Sequence, residues 1–350
     1  MRRPGLFLRI RRPLCLLLAS SCFALLLAEG AVRLFAPHAR DRTLPGRLFE
    51  IDEQLGWKFE ANRQVTHRTR YFDVSYTTNA SGFRDRPRDG SIDGAGYRVL
   101  LYGDSEVFGW GVAEESRFSN LLERTLPFLE VWNRAIPAYG LDQQLLSYEW
   151  SDADPYADEV VFFVSTATLD RSHHDVLSGR PKPMFVEDGN DGLRRVPPGP
   201  VGATRWLYRF VSPLYLPQFL NRRVRVLRER LALARTKRET GEGPDVSQRR
   251  VGDLEKKLLT LGRGIAADRG HRMTILAALP TEMRGDLRAF CVVNGIGFLA
   301  VDRERLSRDH TFGIHDPHWT AGGHRLVAEQ IRSQAGWDRI ARPDERDPRR

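Results

Sequence analysis

A predominantly apolar run from Tyr97 to Tyr102, which stops at Gly103-Asp104-Ser105, constrains the fold of this chain more than any other feature. A short apolar run bounded by a glycine turn is typical of a buried strand. The run 159–164 has the same character, and shorter runs cover 130–132, 273–279 and 297–301. Because these runs alternate with amphipathic segments, the sequence predicts an α/β fold with a mostly parallel sheet covered on both faces.

A serine, a histidine and a carboxylate stand in two distant segments of the chain. Ser105 follows the first strand, at the edge where open α/β sheets bind their ligands. In Asp316-Pro317-His318, the proline favours extended backbone, so Asp316 and His318 project to the same side. The carboxylate can then hold the imidazole, which takes the serine proton. We predict Ser105 as nucleophile, His318 as base and Asp316 as its orienting acid; His315 is the alternative base.

The N-terminus has the pattern of an export or membrane segment. Five arginines among the first twelve residues precede an uncharged run from Pro13 to Ala28, and apolar character resumes after Glu29. The arginines predict a cytoplasmic N-terminus. We interpret residues 1–36 as an uncleaved signal anchor; cleavage of a signal peptide near Ala28-Glu29-Gly30 is the alternative. Both interpretations predict that the bulk of the chain lies outside the cytoplasm.

The remainder of the chain divides by composition. The sequence predicts a lead-in region and linker at 37–96, an α/β domain at 97–338, an insertion within it at about 171–265, and a polar, charged tail at 339–350. Within the insertion we expect a long loop over 180–200 and two helices, one strongly basic at 220–238 and one from Val246 to about Arg263. The basic helix has three interpretations: a solvated arginine face, a surface that docks to anionic phospholipid headgroups, or a site for an acidic polysaccharide or other acidic partner.

Charge and cysteine content exclude several classes of function. The net charge of +9 resides in residues 1–40 and 221–238, and the rest of the chain is mildly acidic. Because no aromatic-and-basic recognition motif accompanies the charge, we expect no nucleic-acid partner. Cys15 and Cys22 fall within the apolar segment, which leaves Cys291 alone in the body and excludes a cysteine zinc site. Without a dinucleotide fingerprint, a phosphate loop or metal-ligand spacing, we expect no cofactor and no metal.

The two site segments, taken in this order, resemble the first and last blocks of the SGNH, or GDSL-like, hydrolase superfamily. Residues 133–143 are similar to its second block, and Leu55-Gly56-Trp57 and 78–84 are similar to the lead-in of its membrane-anchored bacterial members. The resemblance implies a flavodoxin-like three-layer α/β/α sandwich. It also implies hydrolysis of carboxylic esters, often acetyl groups on sugars, through an acyl-serine intermediate.

The resemblance further implies an oxyanion site, from which this chain departs in places. Expected donors are the backbone N–H of Ser105, a backbone N–H of the second block and an asparagine side chain of the third. The second-block glycine position holds Ala138, with Gly140 two residues later, and either residue keeps a backbone donor. The third block has no asparagine, so the hydroxyl of Thr166 or Thr168 is the expected substitute. Loss of one such donor typically costs about 3–4 kcal/mol of transition-state stabilisation. In the last block, the acid and the histidine are one residue closer together than is usual.

These observations predict a membrane-anchored, extracytoplasmic serine esterase. Its expected substrates are O-acyl, mainly O-acetyl, esters on a glycan or envelope polymer, or a small ester. Its expected partners are that acylated substrate and, through the N-terminal helix, the membrane. Two alternatives stay open: an O-acetyltransferase with the same three residues, and a catalytically weak glycan-binding or assembly protein.

Overall fold

The computed structural model describes residues 6–36, 48–88, 96–151, 156–177, 180–189, 192–200, 214–220, 223–224, 227, 250–313, 316–334 and 337. The chain divides into two compact units, one formed by Met1–Thr43 with Trp206–Pro244 and the other by Leu44–Arg205 with Asp245–Arg350. We call the second of these the α/β unit. His315, the predicted tail at 339–350 and most of the predicted basic helix at 220–238 lie outside the described residues.

The α/β unit begins with four strands in two antiparallel hairpins, and strands then mostly alternate with helices, apart from two further hairpins. The strands are β1 (Phe49–Asp52), β2 (Gly56–Phe59), β3 (Gln64–Arg68), β4 (Asp73–Thr77), β5 (Tyr97–Tyr102), β6 (Leu129–Asn133), β7 (Glu159–Ser165), β8 (Val176–Leu177), β9 (Arg180–Pro181), β10 (Met184–Glu187), β11 (Leu193–Val196), β12 (Arg272–Ala278) and β13 (Gly297–Ala300). The helices are α1 (Leu6–Phe35), α2 (Ser105–Phe108), α3 (Phe118–Glu123), α4 (Leu141–Trp150), α5 (Thr166–Arg171), α6 (Asp253–Asp268), α7 (Thr281–Val293) and α8 (Ala321–Arg332).

A five-stranded parallel sheet forms the centre of the α/β unit. Its order is β13-β12-β7-β5-β6, so the chain adds β6 on one side of β5 and then crosses to add β7, β12 and β13 on the other. This is the flavodoxin-like strand order, and it has its topological switch point between β5 and β7. The predicted fold class is therefore confirmed. Ser105 follows β5 and lies at that switch point, where such sheets bind ligands.

Each face of the sheet carries its own apolar core. Leu101 and Phe163 face one core, which also contains Val327 and Ile331 of α8. Alternate residues of the same strands, among them Leu100, face a second core that is shared with α4, α6 and α7. Because strand side chains alternate between faces, continuous apolar strands cover both layers and produce an α/β/α sandwich.

The region expected to be an insertion is partly built into the α/β unit. Helix α6 begins later and ends later than the predicted helix from Val246 to Arg263, and its Leu258 and Leu259 lie in the second core. It connects β7 with β12 across one face of the sheet. The stretch 180–200, expected as a loop, contains the antiparallel hairpin β10–β11, which forms because buried Phe185 anchors its inner face. Only 206–244 groups with the other compact unit.

That other unit contains the N-terminal apolar helix. Pro13–Phe35 comprises 23 residues with a mean hydropathy of 2.0, none of it buried. At about 1.5 Å per residue this is long enough to cross a hydrocarbon layer of about 30 Å. The helix is thus compatible with a membrane anchor or a signal sequence. Glu29 interrupts its apolar surface, and its carboxylate accepts hydrogen bonds from the backbone N–H groups of Tyr215 and Leu216 at 2.9 and 2.8 Å.

Candidate active site

The turn between β5 and α2 places Ser105 at a sheet edge. Asp104 caps α2, because its Oδ1 accepts the backbone N–H of Glu106 at 3.0 Å. A Cβ atom at Gly103 would lie 2.3 Å from the Val107 side chain, so only glycine allows the strand to turn this sharply into the helix. Ser105 is the first residue of α2 and is 7% exposed.

Ser105, His318 and Asp316 form one hydrogen-bonded chain although 213 residues separate the serine from the histidine. Ser105 Oγ lies 2.8 Å from His318 Nε2, and His318 Nδ1 lies 2.5 Å from Asp316 Oδ1. Asp316 Oδ1 also accepts the backbone N–H of His318 at 3.3 Å. The structure therefore brings together the three residues that the sequence selected, in the order hydroxyl, imidazole, carboxylate.

Trp110 contacts both Asp316 and His318, and sequence reasoning missed it. Its Nε1 donates to Asp316 Oδ2 at 3.0 Å, and its ring stacks on the His318 imidazole with centroids 4.7 Å apart. Burial acts to raise the pKa of Asp316, but the hydrogen bonds from His318 and Trp110 outweigh it and hold that pKa below its ordinary value. Asp316 is thus a carboxylate that stays ionised in a buried site.

Arg84 holds the loop that carries Trp110. Its buried guanidinium donates to the carbonyl oxygens of Phe108, Gly109 and Val112 at 2.9, 2.7 and 2.6 Å. Arg84 ends the motif 78–84, so this lead-in motif braces the loop that carries Trp110. Burial, and to a smaller extent the charge of Arg117, lowers the pKa of Arg84 to about 9.

The second block, residues 133–143, includes a loop beside Ser105. Ala138 has a left-handed backbone with φ of 70°, the conformation that favours the glycine usual there. The backbone N–H groups of Ala138 and Ser105 donate to no described residue, and both are available as oxyanion donors. The Tyr139 hydroxyl donates to the Trp57 carbonyl oxygen at 2.6 Å, and the Trp57 indole donates to the Pro137 carbonyl oxygen at 3.3 Å.

Two of the other expected oxyanion donors are used elsewhere. The backbone N–H of Gly140 donates to Gln143 Oε1 at 3.4 Å. Buried Thr168 closes the capping box of α5: its hydroxyl donates to the carbonyl oxygen of Ser165 at 2.9 Å and accepts that residue's N–H at 2.8 Å. The geometry assigns Gly140 and Thr168 to local structure rather than to an oxyanion. Thr166 is exposed and its hydroxyl has no hydrogen bond to a described residue.

Glu106 joins the nucleophile helix to the histidine segment. Its carboxylate accepts the backbone N–H of Trp319 at 3.3 Å, one residue beyond His318. Burial raises the pKa of Glu106 to about 7; the His318 side chain acts against this shift, and Asp104 adds to it. The sequence shows an acidic residue directly after Ser105, but only the fold shows that it pairs with the Trp319 backbone.

Aromatic side chains of the β3–β4 hairpin extend the site. The ring of Phe72 lies 5.0 Å from that of Phe312, and His67 packs edge-on against Trp110 at 4.9 Å. Phe312 also donates its backbone N–H to the His318 carbonyl oxygen at 3.1 Å. Phe72, Tyr71 and Phe312 are each partly exposed, so they form an aromatic edge next to the catalytic segment. Among the described residues, no cluster of His, Cys, Asp or Glu could hold a metal ion.

Comparison with solved structures finds lipolytic and esterase folds. A member of the lipolytic G-D-S-L family from Veillonella parvula is 11% identical with a TM-score of 0.36, over 67% of this chain and 95% of that chain. A putative lipolytic protein of the same family from Desulfitobacterium hafniense is 11% identical with a TM-score of 0.37, over 67% and 96%. An acetyl xylan esterase from Geobacillus stearothermophilus is 13% identical with a TM-score of 0.35, over 68% and 94%. No protein-family model and no curated protein matches the chain.

Proposed function

We propose that this protein is a serine esterase that hydrolyses O-acyl esters, O-acetyl esters above all, on a glycan or envelope polymer. The observation that carries the proposal is the continuous hydrogen-bonded chain Ser105–His318–Asp316 at the switch point of the sheet. A serine hydroxyl becomes a nucleophile when an oriented imidazole can take its proton. Each of the two contacts in this chain lies within hydrogen-bond reach.

The first half of the reaction forms an acyl-enzyme. Ser105 Oγ attacks the ester carbonyl carbon while His318 Nε2 takes the hydroxyl proton. The carbonyl oxygen becomes an oxyanion, which the backbone N–H groups of Ser105 and Ala138 stabilise. The C–O bond to the alcohol then breaks, and His318 returns the proton to the departing alcohol oxygen. The negative charge of Asp316 stabilises the imidazolium that exists between these two proton transfers.

The second half releases the acid. A water molecule attacks the acyl-serine carbonyl carbon and gives a proton to His318 Nε2. The second tetrahedral intermediate collapses, the bond to Ser105 Oγ breaks, and the proton returns to that oxygen. A sugar hydroxyl that replaced water in this step would give acyl transfer instead.

Two features support the substrate class and the location. The aromatic edge of Tyr71, Phe72 and Phe312 offers apolar ring faces against which a sugar ring can pack. The apolar helix α1, preceded by arginines, supports a membrane-anchored chain with the α/β unit outside the cytoplasm.

A fluorophosphonate probe tests the proposal, because it modifies only activated serines. We expect it to label the wild type and to leave Ser105→Ala and His318→Ala unlabelled, with circular dichroism unchanged in both variants. Release of acetate from O-acetylated xylan fragments, measured with and without an unacetylated sugar acceptor, then separates hydrolysis from transfer. A folded wild type that is neither labelled nor active on any acetyl ester would overturn the proposal and favour a binding protein.

A further inference from the structure

Arg171 joins the two loops that carry the free backbone donors. Its Nη1 donates to Asp104 Oδ2 at 2.8 Å and to the Tyr139 carbonyl oxygen at 3.1 Å. Asp104 precedes Ser105 in the chain, and Tyr139 follows Ala138. One guanidinium nitrogen therefore contacts a residue adjacent to each of the two N–H groups that can face an oxyanion. No other described side chain bonds to both loops at once.

The surroundings fix this guanidinium without using all of its donors. Asp104 is 2% exposed and already caps α2 with its other carboxylate oxygen, so the ion pair with Arg171 has a rigid partner. The end of α5 packs closely on the second-block loop, where a Cβ at Gly140 would lie 3.2 Å from the carbonyl carbon of Arg171. The Arg171 side chain keeps 18% of its surface exposed, and its Nε and Nη2 donate to no described residue.

The physical need for such a bridge follows from how oxyanion sites work. Backbone donors stabilise a developing negative charge only when they are held in place before the charge appears. Here one donor follows a strand and the other belongs to a loop with a strained, left-handed alanine. The backbone N–H of Ile136 donates to the Gly103 carbonyl oxygen at 3.1 Å and ties the loops two residues before the donors, whereas Arg171 ties them at the residues adjacent to the donors. The Arg171 Nη1 group carries two N–H donors, and it gives one to each loop.

We propose that Arg171 is the positioning residue of the oxyanion site: it sets the spacing between the Ser105 and Ala138 donors through Asp104 and Tyr139. The inference rests on the proposed function. It assigns to α5 a contribution to the site that neither Thr166 nor Thr168 provides. It also accounts for an ion pair beside the nucleophile that the proton transfers do not use.

Kinetics of Arg171 variants test the inference in the full-length chain. With p-nitrophenyl acetate we expect Arg171→Gln and Arg171→Ala to lower kcat by about 10²-fold, the usual effect of a displaced oxyanion donor, with KM little changed. Arg171→Lys keeps the charge and has enough N–H donors, but its Nζ stands one bond nearer the backbone than Nη1 and reaches the two acceptors less well, so we expect an intermediate kcat. Added guanidinium ion should restore part of the kcat of Arg171→Ala. The matched control is Arg263→Gln, which removes an exposed arginine from α6 and should match the wild type.

Each result separates this inference from the proposed function. A wild type that turns over esters, with Arg171→Gln and Arg171→Ala equally active, overturns the inference and leaves the esterase intact. A parallel loss of kcat and thermal stability that guanidinium does not rescue makes Arg171 a structural residue and also overturns it. Asp104→Asn, which keeps the capping oxygen, should lower kcat, and adding it to Arg171→Gln should cost little more, because both remove the same bridge.

Discussion

At the scale of single residues, the site depends on a fourth side chain beyond the serine, histidine and carboxylate. Asp316 is fully buried, and such a carboxylate stays ionised only if donors satisfy both of its oxygens. His318 serves Oδ1 and Trp110 serves Oδ2. The indole also stacks on the imidazole, so one side chain holds both Asp316 and His318.

Replacing this tryptophan isolates the hydrogen bond from the stacking. Trp110→Phe keeps an aromatic ring against His318 but removes the N–H donor to Asp316. A hydrogen bond to a charged group contributes about 1.5–3 kcal/mol, so we expect kcat to fall by roughly 10- to 100-fold. We also expect the acid limb of the kcat/KM profile to move to higher pH, because the pKa of Asp316 rises. Stopped-flow or spectrophotometric hydrolysis of p-nitrophenyl acetate measures both, and an unchanged profile would show that Trp110 acts by packing alone.

Glu106 makes a prediction about stability rather than rate. Its pKa is about 7 in the folded chain against 4.5 ordinarily, so the folded state holds a proton that the unfolded state has already released. Stability from this group therefore falls as pH rises from about 4.5 to 7 and is constant above that range. Glu106→Gln cannot ionise, so its free energy of unfolding should rise relative to that of the wild type by up to about 3 kcal/mol across this interval. Urea unfolding at a series of pH values measures the gain; parallel curves for the two proteins would contradict the shifted pKa.

At the scale of elements, the lead-in region acts on the site rather than merely preceding it. The Trp57 carbonyl oxygen of β2 accepts a hydrogen bond from Tyr139 of the second-block loop, and Arg84 donates to the loop that carries Trp110. The turn between β3 and β4 supplies Tyr71 and Phe72, two of the three residues of the aromatic edge. The loops that carry the site follow strands of the α/β sandwich, and the lead-in segments hold these loops in place through hydrogen bonds.

Tyr139→Phe tests that support with the smallest change. It deletes the hydroxyl that donates to the Trp57 carbonyl oxygen in a buried contact. We expect a loss of about 1–2 kcal/mol in the free energy of unfolding, since a buried acceptor loses its partner. We also expect kcat to fall several-fold, because the Ala138 donor lies on the loosened loop. Tyr148→Phe, which loses a buried hydroxyl on the opposite core, is the control and should change stability without changing kcat.

The elements that the sequence predicted well are those whose signals are local. The strands Tyr97–Tyr102, Glu159–Ser165 and Arg272–Ala278 follow from apolar runs, and all three are present. The sequence also selected Ser105, His318 and Asp316, because each stands in a short motif, and the structure places them within hydrogen-bond reach of one another. Arg84, Trp110 and Arg171 were not, because their partners lie 24 to 206 residues away and no local pattern encodes such contacts.

At the scale of the whole molecule, charge and apolarity are divided between the two compact units. The unit that contains Met1–Thr43 and Trp206–Pro244 holds the apolar helix and both arginine-rich segments, whereas the rest of the chain is mildly acidic. Glu29 ties helix α1 to the segment at Tyr215 within this unit. An apolar helix preceded by five arginines fits a membrane anchor with its N-terminus in the cytoplasm.

Orientation in the membrane can be measured with one introduced thiol. Val293 is 85% exposed at the end of α7, so Val293→Cys should react with a membrane-impermeant maleimide in intact spheroplasts. The wild type is the control: Cys291 is buried and burial raises its pKa to about 12, while Cys15 and Cys22 lie within the apolar helix that lipid would cover. We expect labelling of the variant alone, and only from the outer side. Labelling confined to inside-out vesicles would place the α/β unit in the cytoplasm and exclude an envelope polymer as its substrate.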